Sequence, residues 1–205
     1  MNEIESSSPQ SRGPADHNVR DQIVAAADEH FSRYGYDKTT VSDLAKAIGF
    51  SKAYIYKFFD SKQAIGEAIC AQCLSKIIAA ADEAVAGATT PTEKIRQLFK
   101  ALVATSVSLV FNDRKLHDIA ARGAGEKWPS VRAYAEHIRQ FLTEIVREGR
   151  EFGEFERKTP LDETVHVIYL VMHPYVNPLL LQYNLDHAEE APAQLSSLVL
   201  RSLAP

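Results

Sequence analysis

The chain has 205 residues, 45% of them hydrophobic and 24% charged, with a formal net charge of −4. That length buries a real core in one or two small domains, and the balance is that of an ordinary globular protein. It excludes a uniformly basic nucleic-acid-coating surface, and two cysteines exclude a disulfide framework.

Residues 1–18, MNEIESSSPQSRGPADHN, have no apolar run and are rich in Ser, Pro and charge. They read as a disordered arm without the pattern of a signal peptide, and the reducing cytoplasm is the expected compartment. Val19, Ile23, Ala27, Phe31 and Tyr34 then mark a first helix, stopped at Gly35.

The next stretch carries the most information. Val41, Leu44, Ala45 and Ile48 recur at i, i+3, i+4, i+7 and predict a helix over 41–48. Thr40 is its N-cap, Asp43 supplies the negative charge that a first turn favours, and Gly49 closes it in a left-handed conformation. Ser51 caps a second helix expected over 52–59, with Ile55, Phe58 and Phe59 inward. Two short helices joined by a glycine-bearing turn make a helix-turn-helix, whose partner is duplex DNA. Positive charge gathers here: Lys46, Lys52, Lys57 and Lys62 stand against the single acid Asp60 between residues 46 and 62.

Beyond Ser61 the pattern stays helical. A long helix runs from Lys62 into the eighties on the stripe Ile65, Ile69, Cys73, Ile77, Ala80 and Ala84. Another begins at Thr92, a short one spans about 115–122, and the loop RGAGEKWPS follows. Val131 to Ile145 defines a further helix, ended by Gly149 and Gly153. A helix over 161–183 and a last one over 189–203 complete the chain. No segment alternates with period two, so the expected fold is all-α with about nine helices: an arm (1–18), a DNA-binding head (19–65) and a body (66–205).

Residues 164–185 contain no Asp, Glu, Lys or Arg, which is long enough to span a bilayer. The same stretch holds His166, His173, Pro174, Asn177, Pro178, Gln182 and Asn184, so a helix buried in protein is expected instead. Pro174 removes a backbone donor and should bend it.

The order of residues in the head resembles the N-terminal domain of TetR-family transcriptional regulators. The resemblance runs from Ile23 to about Ile65 through FSRYGYDKTTV, SDLAKAIGFS and KAYIYKFFDSKQAI. It implies that Thr40 contacts a phosphate, that the cap Ser51 belongs to the DNA-binding set, and that Lys52, Ala53 and Tyr54 just after it face base edges in the major groove. Tyr56, Lys57 and Lys62 would hold backbone phosphates. Phosphate contacts of this kind set register, while the few residues at the helix start read bases. Two positions, Ala53 and Phe58, depart from the common pattern. Ala53 is often glycine in relatives, Phe58 is often histidine or another polar aromatic, and Tyr54 is bulkier than usual, so no operator sequence carries over.

The resemblance also implies a ligand-responsive repressor that binds a pseudo-palindromic operator as a homodimer through residues 161–183 and 189–203. A small-molecule effector, apolar or aromatic because few charges line the body helices, would enter a cavity walled by helices between Ser61 and Tyr183. Phe99, Val103, Phe111, Trp128, Phe141, Tyr169 and His173 are the candidate wall residues. The alternatives are an effector-independent activator or nucleoid-type protein, and a helical ligand carrier or enzyme. No Gly-rich phosphate loop or paired-carboxylate motif supports an enzyme, and neither a cofactor nor a metal is expected. Cys70 and Cys73 form a C-x-x-C, but without a partner motif they read as two small core residues, with thiol modification of the head's connecting helix as the alternative.

Overall fold

The computed structural model describes residues 14–112 and 114–205, and residues 1–13 of the expected arm lie outside it. Among the described residues there are ten α-helices, one 3-10 turn and no strand. The first helix, α1 (Pro14–Tyr34), begins five residues before the expected Val19 boundary. Its inner stripe Ile23, Val24, Ala27 and Phe31 is fully buried against α2 (Val41–Ala47) and the head's core.

The α2 cap is reciprocal: Asp43 N–H donates to Thr40 Oγ1 (3.2 Å), and Thr40 N–H donates back to the Asp43 carboxylate (2.9 Å). Gly49 follows with φ +72°, a conformation that side chains resist. The recognition helix α3 (Lys52–Ile55) is shorter than expected. Beyond it the chain continues as tight turns, with Lys57 N–H donating to the Tyr54 carbonyl and Phe58 N–H to that of Ile55. Ile55 and Phe59 are buried, while Phe58 is only half-buried.

From Ser61, whose Oγ accepts from Ala64 N–H (3.1 Å), α4 (Lys62–Ala86) leads into the body. It is long and apolar enough to cross a membrane. Here it is the central strut instead, packed on α5 (Pro91–Asn112), α6 (Arg114–Gly125) and α7 (Pro129–Glu151), with Ile65, Ile69, Cys70, Leu74, Ile77 and Ala81 inside. The RGAGEKWPS loop is mostly helix: α6 continues to Gly125 and α7 starts at Pro129.

The single helix expected over 161–183 is two. Pro174 lies within α8 (Leu161–Val176), and Asn177 ends it in extended backbone and caps α9 (Pro178–Leu181), accepting from Leu179 N–H (2.9 Å). A short 3-10 turn (Leu185–His187) leads to α10 (Ala191–Ser202), which lies on α5 and touches α8.

Candidate nucleic-acid interface

The head presents one exposed polar face. Ser51 Oγ accepts from Tyr54 N–H (3.1 Å), which fixes the start of α3 and turns Lys52 and Ala53 outward. Tyr54 is half-buried, with Phe50 and Phe58 edge-on to its ring at 5.0 and 5.3 Å. Tyr56 and Lys57 are exposed. Lys57 Nζ lies 5.6 Å from the Tyr54 ring and Lys52 Nζ 5.8 Å from that of Tyr56, so cations and phenols interleave across the face. Thr40, also exposed, stands at the start of α2. Of the eight expected contact residues, Thr40, Ser51, Lys52, Ala53, Tyr56 and Lys57 are exposed and Tyr54 is half-buried, with Ser51 capping the helix that carries Lys52, Ala53 and Tyr54.

Lys62 is the eighth and is placed differently. It is half-buried; its ammonium donates to the carbonyls of Tyr36 (2.9 Å) and Thr39 (3.1 Å) and lies 4.3 Å from the Tyr36 ring. Two of its three N–H groups close the head onto α4. Lys62 is thus a tether in this structure rather than a free cation beside the others.

Tyr36, which the sequence does not single out, is the centre of the joint between head and body. Phe31 and Trp128 meet its ring edge-on at 5.0 and 6.2 Å, and the Arg122 guanidinium lies 5.4 Å from it while pairing with Asp37 (2.8 Å). Burial raises the Tyr36 phenol above its ordinary value, partly offset by Arg122. The fit depends on Gly66 of α4, because a Cβ there would come within 2.7 Å of the Tyr36 ring and 3.2 Å of Trp128.

In the body, two spaces concern the expected ligand residues. A small cavity of about 20 Å³, room for a single water, lies between α4, α5, α6 and α9. Cys73, Leu74, Ile77, Ser106, Leu109, His117, Ala120, Pro178 and Leu181 wall it. His117 Nε2 donates to the Pro178 carbonyl (2.8 Å), joining α6 to α9. Ser106 Oγ and the Tyr134 hydroxyl are both buried without meeting hydrogen-bond geometry, and burial raises the Tyr134 phenol. A much larger groove of about 860 Å³ lies between α5 and α10.

Of the seven expected wall residues only Phe111, 72% exposed, borders either space, at the α5–α10 groove. Phe99, Val103 and Phe141 are packed into the core instead. Trp128 belongs to the joint, its Nε1–H donating to Glu126 (2.8 Å). Tyr169 stacks under the Arg139 guanidinium at 3.9 Å and beside His173, whose imidazole is lowered by burial and by Arg139. Aromatic residues at helical spacing served packing, and the cavity's polar walls, Ser106 and His117, had no pattern to betray them.

Residues 23–69 match the model of bacterial regulatory proteins of the TetR family, and residues 91–197 match the tetracycline repressor-like C-terminal domain. The chain belongs to the TetR family. Its members are transcriptional regulators, and the helix-turn-helix head is the family's DNA-binding unit. Among curated TetR-type relatives, the chain is 45% identical over 49 residues to the biofilm operon icaADBC negative transcriptional regulator IcaR of Staphylococcus aureus (strain Newman). That stretch is 24% of this chain and spans only 26% of IcaR's length.

The fold extends the likeness over the body. The fatty acid degradation regulator FadR of Bacillus halodurans superposes with a TM-score of 0.65 at 21% identity, covering 89% of this chain and 98% of that one. FadR of Bacillus subtilis, solved in complex with stearoyl-CoA, gives 0.61 at 21% identity, covering 89% and 96%.

Within this TetR frame the C-x-x-C lies inside α4's packed face. Cys70 and Cys73 are reduced and buried, and desolvation pushes the Cys70 thiol up to about 11. A thiol so protonated at neutral pH is a poor nucleophile, which favours the reading as core residues. Among the described residues no group of His, Cys, Asp and Glu could hold a metal.

Proposed function

We propose that the protein represses transcription by binding a pseudo-palindromic operator as a homodimer, and that a small molecule releases it. The carrying observation is that Thr40, Lys52, Ala53, Tyr56 and Lys57 are exposed and Tyr54 half-exposed, while Ile55 and Phe59 anchor the head from behind. Lys52, Ala53 and Tyr54 lead the recognition helix into the major groove, and Tyr56, Lys57 and Thr40 grip phosphates. That IcaR is a negative regulator supports repression.

The dimer is formed by α8 and α10. Val167 and Leu170 on α8 and Leu198 on α10 are exposed apolar side chains, which a second copy would cover. Two heads held at a fixed spacing then address two half-sites.

The effector site is the space between α4, α5, α6 and α9. An apolar or aromatic molecule with one hydrogen-bonding group would meet Leu74, Ile77 and Leu109 and satisfy Ser106. The stearoyl-CoA complex of the similarly folded FadR supports a body that takes up small molecules. Entry would part α6 from α9 at the His117–Pro178 bond, and α6 carries Arg122, which touches Tyr36. Ligand would thus favour a head position unsuited to DNA.

The test is duplex binding across a KCl series, on a site selected from a random library. Lys52→Ala and Lys57→Ala should each weaken binding and reduce the salt slope by about 1. Unchanged affinity and slope in both variants would refute the interface.

A further inference from the structure

The groove between α5 and α10 belongs neither to the DNA-facing head nor to the internal cavity, and its two ends differ in chemistry. Glu154 accepts from Thr92 N–H and O–H at the start of α5, and nearby Glu156 N–H donates to the Leu203 carbonyl at the end of α10. Those bonds tie the beginning of one helix to the end of the other, so the two run antiparallel. Arg96 and Lys100 therefore share one end with Ser196 and Ser197. Val107 and Phe111 share the other with Leu185 and Ala188.

Arg96 and Lys100 are exposed, one turn apart on one stripe, and neither has an ion pair or hydrogen bond among the described residues. Glu154, bonded to Thr92 one turn before Arg96, is not among the groove's walls. Glu189, the groove's one acid, lies in the turn before α10 at the far mouth. Between the ends the walls are Ala104, Pro192 and Ala193. Arg96 and Phe111 stand about 22 Å apart along the helix. The volume, about 860 Å³, falls within the roughly 300–1,000 Å³ that small-molecule sites occupy.

We propose that this groove binds an amphiphilic organic anion, its head on Arg96 and Lys100 and its apolar tail lying toward Val107 and Phe111. Charge-assisted bonds from a guanidinium and an ammonium select the anionic head, and burial of the tail on Phe111 supplies the rest. The site lies outside the effector cavity proposed above and does not depend on it.

The test is calorimetric titration of the full chain with sodium decanoate below its micelle concentration. Inorganic phosphate serves as the head-only probe and decanol as the tail-only probe. Decanoate should saturate one site per protomer and bind at least about tenfold more tightly than either partial probe. Combined R96Q and K100Q should weaken decanoate about tenfold and leave decanol unchanged. Ala104→Trp, at an exposed position, should abolish binding while the protein stays folded by circular dichroism. Equal binding of decanol and decanoate, or full binding to Ala104→Trp, would overturn the proposal. So would a groove that binds no decanoate and whose Trp variant changes the oligomeric state, since a second copy would then be its occupant. DNA binding is not read in this experiment, so its failure leaves the operator reading intact.

Discussion

Lys62 Nζ lies 4.3 Å from the ring of Tyr36 and donates a 2.9 Å hydrogen bond to the carbonyl of the same residue. A cation at the first position of the helix entering the body thus clamps the loop that precedes the helix-turn-helix. Lys62→Met should cost about 1–2 kcal/mol in urea denaturation, because two buried carbonyls lose their donor. It should lower the salt slope of DNA binding less than Lys57→Ala does. A Lys62→Met variant of unchanged stability with a slope reduced by about 1 would restore the phosphate role instead.

Gly66→Ala tests the same joint from the α4 side. The new methyl would press on a Tyr36 ring already bounded by Phe31, Trp128 and the Lys62 and Arg122 cations. Overpacking should cost about 1–3 kcal/mol despite alanine's better helix propensity. A thermal melt at or above the parent's would show that the joint has slack.

Three half-buried carboxylates hold helix starts and turns. Asp43 is lowered mainly by its hydrogen bonds from Thr40, Glu93 by those from Thr89, and Glu156 by those from Thr159. A carboxyl lowered in the folded state stabilises above its unfolded value and loses that contribution as pH falls through the folded one. Stability should therefore decline from about pH 4.5 downward. The triple variant D43N, E93Q and E156Q should show a shallower decline in melting temperature over that window. An unchanged acid limb would place the sensitivity elsewhere.

Cys70 and Cys73 should resist thiol reagents in the native protein and react fully in denaturant, since both are buried and the Cys70 thiol is raised to about 11. Rapid native labelling with altered DNA affinity would revive a regulatory role for the pair.

Ser106 and Tyr134 hold buried hydroxyls without hydrogen-bond geometry. Ser106→Ala should be within about 1 kcal/mol of the parent in stability, because its contact with the Tyr134 hydroxyl falls short of good hydrogen-bond geometry. It should nonetheless weaken any effector that releases the protein from DNA, read as a rightward shift in the release curve. A large stability loss would mean that Ser106 is already partnered in solution.

Local chemistry made the head legible from the chain alone. The Thr40–Asp43 capping box, the turn at Gly49 and the Ser51 cap depend on neighbours a few residues apart, so their residue types and spacing determine the helix-turn-helix. They also place Lys52, Ala53, Tyr56 and Lys57 on its open face. Tertiary packing decided what long-range contacts alone determine. Lys62 turned inward because the carbonyls of Tyr36 and Thr39, more than twenty positions away, needed a donor. The expected helix over 161–183 broke at Asn177, whose side chain captures the amides of α9. Phe99, Val103 and Phe141 went to the core, and Trp128 to the joint at Gly66, because hydrophobic burial is non-directional and periodicity cannot tell a packed wall from a cavity wall. The α5–α10 groove exists only because two helices far apart in sequence run antiparallel with small residues between them.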